Sequence, residues 1–324
     1  IMLNLLYCLD QNYNLQTITS IMSFLKNTDE SINIYIIHEN PESFGEYLQK
    51  IKKEEKINKI IIKKFNSKAD IDYPNLFDRH VSIATYFRLH LEEYIEEDID
   101  HLIYVDSDVI CISNPVELLY ELKNKLINSK FIVCVKTISK RLEGKFHIEE
   151  INRLDLINDN YFNAGVMIID FNKWKNQNVS KKLINILNEN KSKITFWDQD
   201  VLNIYFDGKF LELNSSLNYE IYLEDGYKKI ESGTKLVHYS GSFKPWTVRA
   251  ITEINSNIYQ NNFLKLMNRY HITHTWKRSS LKYFFKSVLN LKIFNIENPL
   301  IYIKNFFQSL NSNFSYSEPS REEK

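Results

Sequence analysis

The chain has 324 residues, 44% hydrophobic and 25% charged, and its 41 basic and 41 acidic side chains give a formal net charge of zero. These totals suit a soluble globular protein of one large domain or two modest ones, and they give no global support for a charge-driven nucleic-acid partner. Seven glycines, arranged in neither G-x-G-x-x-G nor G-x-x-x-x-G-K-[ST], exclude the common glycine-rich phosphate cradles, so a nucleotide would be held another way.

Taken in chain order, the apolar run 3–9 reads as a first strand rather than a signal peptide, because it lacks a basic leader and a small-residue cleavage site. Further strands are predicted at 34–38, 59–62, 101–105, 131–135 and 166–169, all short and rich in Ile, Val, Leu and Tyr. Leu15, Ile18, Ile21, Met22 and Leu25 recur at helical spacing, and helices are also predicted over 82–95, 115–126 and 179–187. This alternation points to an α/β domain with a mainly parallel sheet, whose ligands sit beyond the carboxyl ends of the strands. Cys8, Cys111 and Cys134 lie in or beside apolar runs with no CxxC pair, as buried reduced thiols of a cytosolic protein do. No stretch of about 18 uninterrupted apolar residues exists, so no membrane-spanning helix is expected. Residues 251–270 read as a helix closing the domain. Residues 271–310 are basic and aromatic, with Trp276, Lys277, Arg278, Phe284, Phe285, Lys286, Phe306 and Phe307 among them. The polar stretch 311–324 is expected to be disordered.

The strongest chemical signal follows the run 101–105, which ends in Asp106, Ser107 and Asp108. At a strand end an i, i+2 pair of carboxylates can point the same way, and a hard divalent cation with oxygen ligands would relieve their repulsion. Two solvated loop aspartates would give the same pattern. Phosphatases of the haloacid-dehalogenase type also place D-x-D after a strand, but they want Thr or Val where this chain has Ile110. A second signal ends another apolar run: His238 is followed by Gly241 and Lys244, an imidazole ligand, a residue permitting close backbone approach and a point charge. Asn163 and Gly165 are predicted to lie just before a strand. Asp198, Gln199 and Asp200 are predicted in a loop before a helix, where one aspartate could cap. Ala84 and Arg88, four apart, would share a helix face.

Taken together in this order, Asp10, Asn12 and Tyr13, the stretch from His80 to Arg88, Asp106 to Asp108, Tyr161 to Gly165, Asp198 to Asp200, and His238 to Trp246 resemble glycosyltransferase family 8 over roughly residues 2–270. The resemblance is greatest to bacterial lipopolysaccharide and lipooligosaccharide galactosyl- or glucosyltransferases. It implies a GT-A (Rossmann-like) fold over residues 1–270, a UDP-sugar donor, Mn2+ (or Mg2+) and retention of anomeric configuration. By position it implies that Asp10, Asn12 and Tyr13 hold the uridine and that Asp106, Asp108 and His238 bind the metal. Ser107, Gly241 and Lys244 would contact the nucleotide-sugar, Gly241 and Lys244 at its diphosphate. Arg88, Asn163, Asp198 and Gln199 would surround the donor sugar, and His80 would lie near the acceptor. The chain departs from the family's galactosyltransferases after the strand at 131–135, where an acidic acceptor residue is replaced by Lys136 and Thr137, and in carrying Ser240 where they have Cys.

The reaction expected is transfer of galactose or glucose to a saccharide hydroxyl of a cell-surface glycan, by same-face attack, with Asp198 as the alternative nucleophile. A self-glucosylating initiator like glycogenin and a non-catalytic nucleotide-sugar-binding module are the competing readings. The latter usually loses its metal ligands, and here all three are present. The segment 271–310 is expected either to lie on an anionic membrane surface, meeting a lipid-linked acceptor, or to pack its aromatics on the domain. The expected location is the cytoplasm, including the inner membrane face.

Overall fold

A computed structural model describes residues 2–66, 71, 73–74, 82–138, 145–158 and 160–311. Ten strands occur in this part of the chain: β1 (Met2–Leu9), β2 (Ser31–His38), β3 (Ile57–Lys64), β4 (His101–Val105), β5 (Val109–Cys111), β6 (Val133–Thr137), β7 (Phe162–Asp170), β8 (Leu211–Glu212), β9 (Tyr219–Ile221) and β10 (Leu236–Tyr239). Seven form one sheet in the order β3-β2-β1-β4-β7-β6-β8, and β5-β10-β9 form a second, smaller one. In the large sheet β1, β2, β3 and β4 run parallel, whereas β7 is antiparallel to both its neighbours.

The strands are apolar on alternate residues of both faces because both faces are covered. Leu5, Tyr7, Ile34, Ile36, Ile103 and Val105 pack on one side against Ile18, Ile21 and Phe24 of the helix Asn14–Asn27 and Leu119 and Leu126 of the helix Val116–Ile127. Leu6, Tyr35, Ile37, Leu102 and Tyr104 pack on the other, against Leu183 and Leu187 of Val179–Glu189 and Val201 and Leu202 of Trp197–Tyr205. Cys111 and Cys134 are buried, Cys8 is partly so, and all three are free thiols.

Five local expectations change. The strand expected at 131–135 runs Val133–Thr137, so Lys136 and Thr137 lie within β6 rather than after it. Residues 83–90 form a 3₁₀ helix, Ile83–His90, followed by a short α-helical turn, Leu91–Tyr94. With three residues per turn, Ser82, Thr85 and Arg88 share a face, and Ala84 opens onto the same cavity as Arg88. The strand β7 starts at Phe162, so Asn163 and Gly165 lie within it and not in a turn before it. Asp198, Gln199 and Asp200 lie in the first turn of the helix Trp197–Tyr205, not in a preceding loop. Neither aspartate is the N-cap, a position Phe196 holds without a side-chain bond, but Asp200 Oδ2 accepts from the backbone N–H of Thr195 and Phe196 at 2.7 and 2.8 Å and so braces the entry to the helix. The closing helix is shorter than 251–270, running Asn257–Met267.

The basic, aromatic segment is helical, with Lys277–Leu289 and Pro299–Asn311 as its main elements. Asn311, the first residue of the predicted tail, ends the second of these helices. The remainder, 312–324, lies outside the described residues. Phe284, Ile293, Ile296, Tyr302 and Phe306 pack against Val248, Ile251, Tyr270 and Ile272. Among the described residues no helix is long and apolar enough to cross a membrane.

Candidate active site

Strand β4 carries five buried residues and then meets Asp106, whose backbone N–H is held by Gly165 O at 2.8 Å. A tight turn, closed by Val109 N–H on Asp106 O at 3.1 Å, redirects the chain into β5. Strand β5 leaves the large sheet and pairs antiparallel with β10, with Val109 opposite His238. The ladder therefore fixes His238 beside Asp108, although 130 residues separate them in sequence. The Ser107 hydroxyl pins the turn to Thr17 of the first helix at 2.8 Å.

His238 Nε2 stands 3.4 Å from Asp108 Oδ1 and 3.9 Å from Asp106 Oδ2. One ligand atom from each of the three residues lies within 4.8 Å of the others. Donors about 2.1 Å from a six-coordinate ion stand roughly 3 to 4.2 Å apart, so the spacing suits a divalent cation. The other atom of each side chain is already engaged. Asp106 Oδ1 accepts from the Tyr104 hydroxyl at 2.6 Å, Asp108 Oδ2 from Lys244 Nζ at 2.7 Å, and His238 Nδ1 meets Asn218 Oδ1 at 2.9 Å. Asp108 Oδ1, by contrast, is buried without a hydrogen-bond partner. Two carboxylates and an imidazole, with an orphaned buried oxygen between them, fit a divalent cation bound through oxygen and nitrogen.

The electrostatics follow from burial and neighbours. Burial pushes the Asp106 carboxyl up, Arg88 offsets part of this, and the net direction is upward. Burial opposes ionisation of Asp108 too, but Lys244 and His238 outweigh it and hold that carboxyl well below the usual range. For His238 burial pushes down while Asp108, Asp106 and Glu220 push up, and the carboxylates win.

Arg88 reaches the site from the 3₁₀ helix. Its Nε–H donates to Asp198 Oδ2, its Nη1 donates to Ala164 O at 2.6 Å and lies 3.7 Å from Asp106 Oδ1, and its guanidinium stacks 4.4 Å from the Tyr104 ring centre. Asp198 is thus a buried carboxylate with its charge already paired. Gln199 accepts from Ala164 N–H at 3.0 Å and donates to the Tyr161 hydroxyl at 3.2 Å, which fixes its amide at the cavity wall. Trp197, which precedes them, has φ +48°, a strained backbone of the kind found at functional sites.

These groups line a cavity of about 800 Å³, in the range of small-molecule sites. Of the sequence-predicted residues it is lined by Tyr13, Arg88, Asp106, Ser107 and Asp108, and also by Asn163, Asp198, Gln199, His238, Gly241 and Lys244. Asp10 and Asn12 do not line it. Asp10 is buried and accepts from Asn12 N–H at 2.7 Å, so its carboxylate shapes the turn that presents Tyr13. His80 lies outside the described residues. Gly241 has φ +86°, a conformation that favours glycine. At Gly165 a Cβ would fall 2.2 Å from His238 Cε1 and 2.9 Å from Asp106 Oδ2, so only glycine leaves these two side chains room where they stand.

Sequence reasoning missed a polar layer behind the cavity. Glu220 is buried and accepts from Asn163 Nδ2 at 3.1 Å, the Tyr222 hydroxyl at 2.6 Å, Ser240 Oγ at 3.0 Å and Lys136 Nζ at 3.2 Å. Lys136 also donates to Asn218 O at 2.8 Å, so its ammonium is engaged within the fold. The only sequence signal was the alternation Tyr219, Glu220, Ile221, Tyr222, too short to mark β9.

A family model described as glycosyl transferase family 8 matches residues 4–250. A lipopolysaccharide 1,2-glucosyltransferase of Escherichia coli K12 is 30% identical over 260 residues, covering 77% of this chain and 74% of the relative. A lipopolysaccharide 1,3-galactosyltransferase of Salmonella typhimurium is 31% identical over 171 residues, about half of each chain (50% and 49%). Among solved structures, the galactosyltransferase LgtC in complex with donor and acceptor sugar analogs superposes with a TM-score of 0.68 at 21% identity, over 82% of this chain and 96% of that one. The sheet order and the flanking helices are those of a GT-A fold.

Proposed function

Since the chain belongs to glycosyl transferase family 8 and is a glycosyltransferase, we propose that it moves glucose or galactose from a UDP-sugar to a saccharide hydroxyl of a cell-surface glycan, with retention at the anomeric carbon and with Mn2+, or Mg2+ in its place. The observation that carries this reading is the convergence of Asp106, Asp108 and His238 on one point of the cavity, each with its other atom held by a neighbour. The glucosyl- and galactosyltransferase relatives support a hexose donor and do not choose between the two.

A bound cation would neutralise the diphosphate as charge builds on it. Asp106, Asp108 and His238 would hold that cation, and Lys244 would add a second positive charge to the leaving group. Tyr13 would face the uracil, with Asp10 and Asn12 supporting its turn. Arg88, Asn163, Asp198 and Gln199 would surround the sugar, and His80 would lie toward the acceptor. The acceptor hydroxyl would attack from the face that the diphosphate leaves, passing its proton to the departing phosphate oxygen. Asp198 is a poor competitor as nucleophile, because its carboxylate is committed to Arg88.

The experiment is a donor panel without acceptor, scored by UDP release. One UDP-hexose should be hydrolysed in the presence of Mn2+, EDTA should abolish the reaction, and added Mn2+ should restore it. Release of no UDP from any hexose donor, with no UDP binding, would reject the reading.

The segment 271–310 is proposed as a peripheral contact with an anionic bilayer at the cytoplasmic face, where a lipid-linked acceptor would be met. Its apolar side chains both pack inward and face outward: Phe284 and Phe306 are buried, while Trp276, Phe285, Leu289, Leu291, Phe294 and Leu300 are exposed. Lys277, Arg278, Lys282, Lys286, Lys292 and Lys304 accompany them, against Glu297 as the sole acid between 271 and 311. Apolar side chains flanked by basic ones suit an interfacial site. The full chain should sediment with phosphatidylglycerol-containing vesicles, less so in high salt and hardly at all with Leu289→Glu and Phe294→Glu combined. Equal recovery with neutral and anionic vesicles would refute the contact.

A further inference from the structure

Asn218 and Glu220 do not line the cavity, yet the hydrogen bonds around them form a chain of defined polarity that ends on His238 Nδ1, the ring nitrogen opposite the one that faces the two aspartates. Its direction is fixed by groups whose roles are unambiguous. The Gly165 backbone N–H can only donate, so the Asn163 atom 2.8 Å from it is the amide oxygen. That turns the Asn163 NH₂ group toward the Glu220 carboxylate, at 3.1 Å, which agrees independently with the same orientation. The Asn163 oxygen also receives the Asn218 NH₂ group at 3.0 Å. Asn218 must then aim its own oxygen at His238 Nδ1, 2.9 Å away. An oxygen there requires a hydrogen on Nδ1, and the remaining nitrogen, Nε2, is the one that faces Asp106 and Asp108. Lys136 anchors the arrangement from behind, on Asn218 O and Glu220 Oε2.

We infer that Asn218 is a positioning residue that sets the tautomer and ring angle of His238, with the Gly165 N–H and Glu220 together fixing the polarity of the Asn163–Asn218 relay. The inference rests on the reading of His238 as a metal ligand. Residues that hold the second nitrogen of a ligating histidine raise its basicity and fix its direction, and losing one weakens metal binding by about 10–100-fold. Here the device also ties the metal ligand to Asn163, so that cation side and sugar side share one hydrogen-bonded scaffold.

The test is Mn2+ affinity without any sugar, read by electron paramagnetic resonance, for the wild type and for Asn218→Leu, Asn218→Asp and His238→Ala. Asn218→Leu should weaken binding about 10–100-fold. Asn218→Asp keeps an acceptor for Nδ1 but turns its second carboxylate oxygen onto the Asn163 oxygen, so it should lose clearly less affinity than Asn218→Leu without matching the wild type. Wild-type affinity in Asn218→Leu, or equal loss in Leu and Asp variants, overturns the inference provided His238→Ala is weakened. Wild-type affinity in His238→Ala instead overturns the metal reading beneath it. Should Asn218→Leu fail to fold, ¹⁵N spectra of histidine-labelled wild type with Mg2+ decide: hydrogen on Nδ1 of His238 supports the inference, and hydrogen on Nε2 refutes it.

Discussion

Asp108→Ala and His238→Ala should each lower metal-dependent UDP release by about 10²–10³-fold, the loss seen when one preorganised group that stabilises developing charge is removed. Each variant keeps two of three protein ligands, so residual activity at raised Mn2+ is expected in both. Their structural costs differ. Removing the Asp108 carboxylate takes from Lys244 its acidic partner at 2.7 Å but leaves Tyr239 O, also at 2.7 Å. Removing the imidazole leaves the Asn218 oxygen buried without its donor, which costs about 1–3 kcal/mol. Asp108→Ala should therefore fold almost as stably as wild type, and His238→Ala somewhat less so. Thermal unfolding separates folding from binding: Mn2+ should raise the wild-type midpoint by mass action and leave both variants nearly unmoved. Wild-type turnover in either variant would sink the metal assignment.

How much of this could be read from the sequence depends on how far apart the cooperating residues lie. Strand β4 was legible to the residue, because a buried run of five apolar side chains ends abruptly at two carboxylates. The first helix was legible because its apolar residues recur on one face. Strand β7 was underestimated at its start, because Asn163 and Gly165 carry the marks of a turn. Buried, they are tolerated in a strand since Glu220, Asn218 and the Gly165 N–H satisfy the amide, and since His238 and Asp106 need the space a Cβ would fill. The 3₁₀ form of Ile83–His90 was not legible, because apolar spacing over eight residues cannot separate three residues per turn from 3.6. It matters to the site, for it is this winding that places Thr85 and Arg88 on one face and into the cavity. Ordered motifs identified His238 as a partner of Asp106 and Asp108, whereas the reason for their meeting, the β5–β10 ladder, lies in strands too short to show periodicity. The polar layer of Lys136, Asn218 and Glu220 was invisible for the same reason: its members come from two strands and the chain just before one of them, and no local pattern joins them.

Arg88→Met should be the most damaging single change to stability in the site. The guanidinium is almost fully buried and satisfies Asp198 and Ala164 O while facing Asp106. Methionine fills much of the volume but leaves Asp198 as a buried, unpaired carboxylate, a defect of about 3–5 kcal/mol. Asp198 already has its carboxyl pushed up by burial, with Arg88 as the main opposing influence, so without Arg88 it should protonate at higher pH still. Unfolding in urea should show the lowered midpoint, with part of the loss regained on acidification as Asp198 takes up a proton. The double variant Arg88→Met, Asp198→Leu removes both charges and should recover most of the stability, because a buried pair exchanged for apolar groups is often neutral. UDP release should stay lost in the double variant, since the cavity then lacks the charge beside Asp106 and the carboxylate proposed to stand beside the sugar. Arg88→Lys should restore part of the stability and little activity, because one compact ammonium cannot reach Asp198, Ala164 O and Asp106 at once as the planar guanidinium fork does. Were the double variant as unstable as Arg88→Met, the cost would lie in packing rather than in the stranded carboxylate. Were Arg88→Met to turn over at the wild-type rate, the pair would be structural alone.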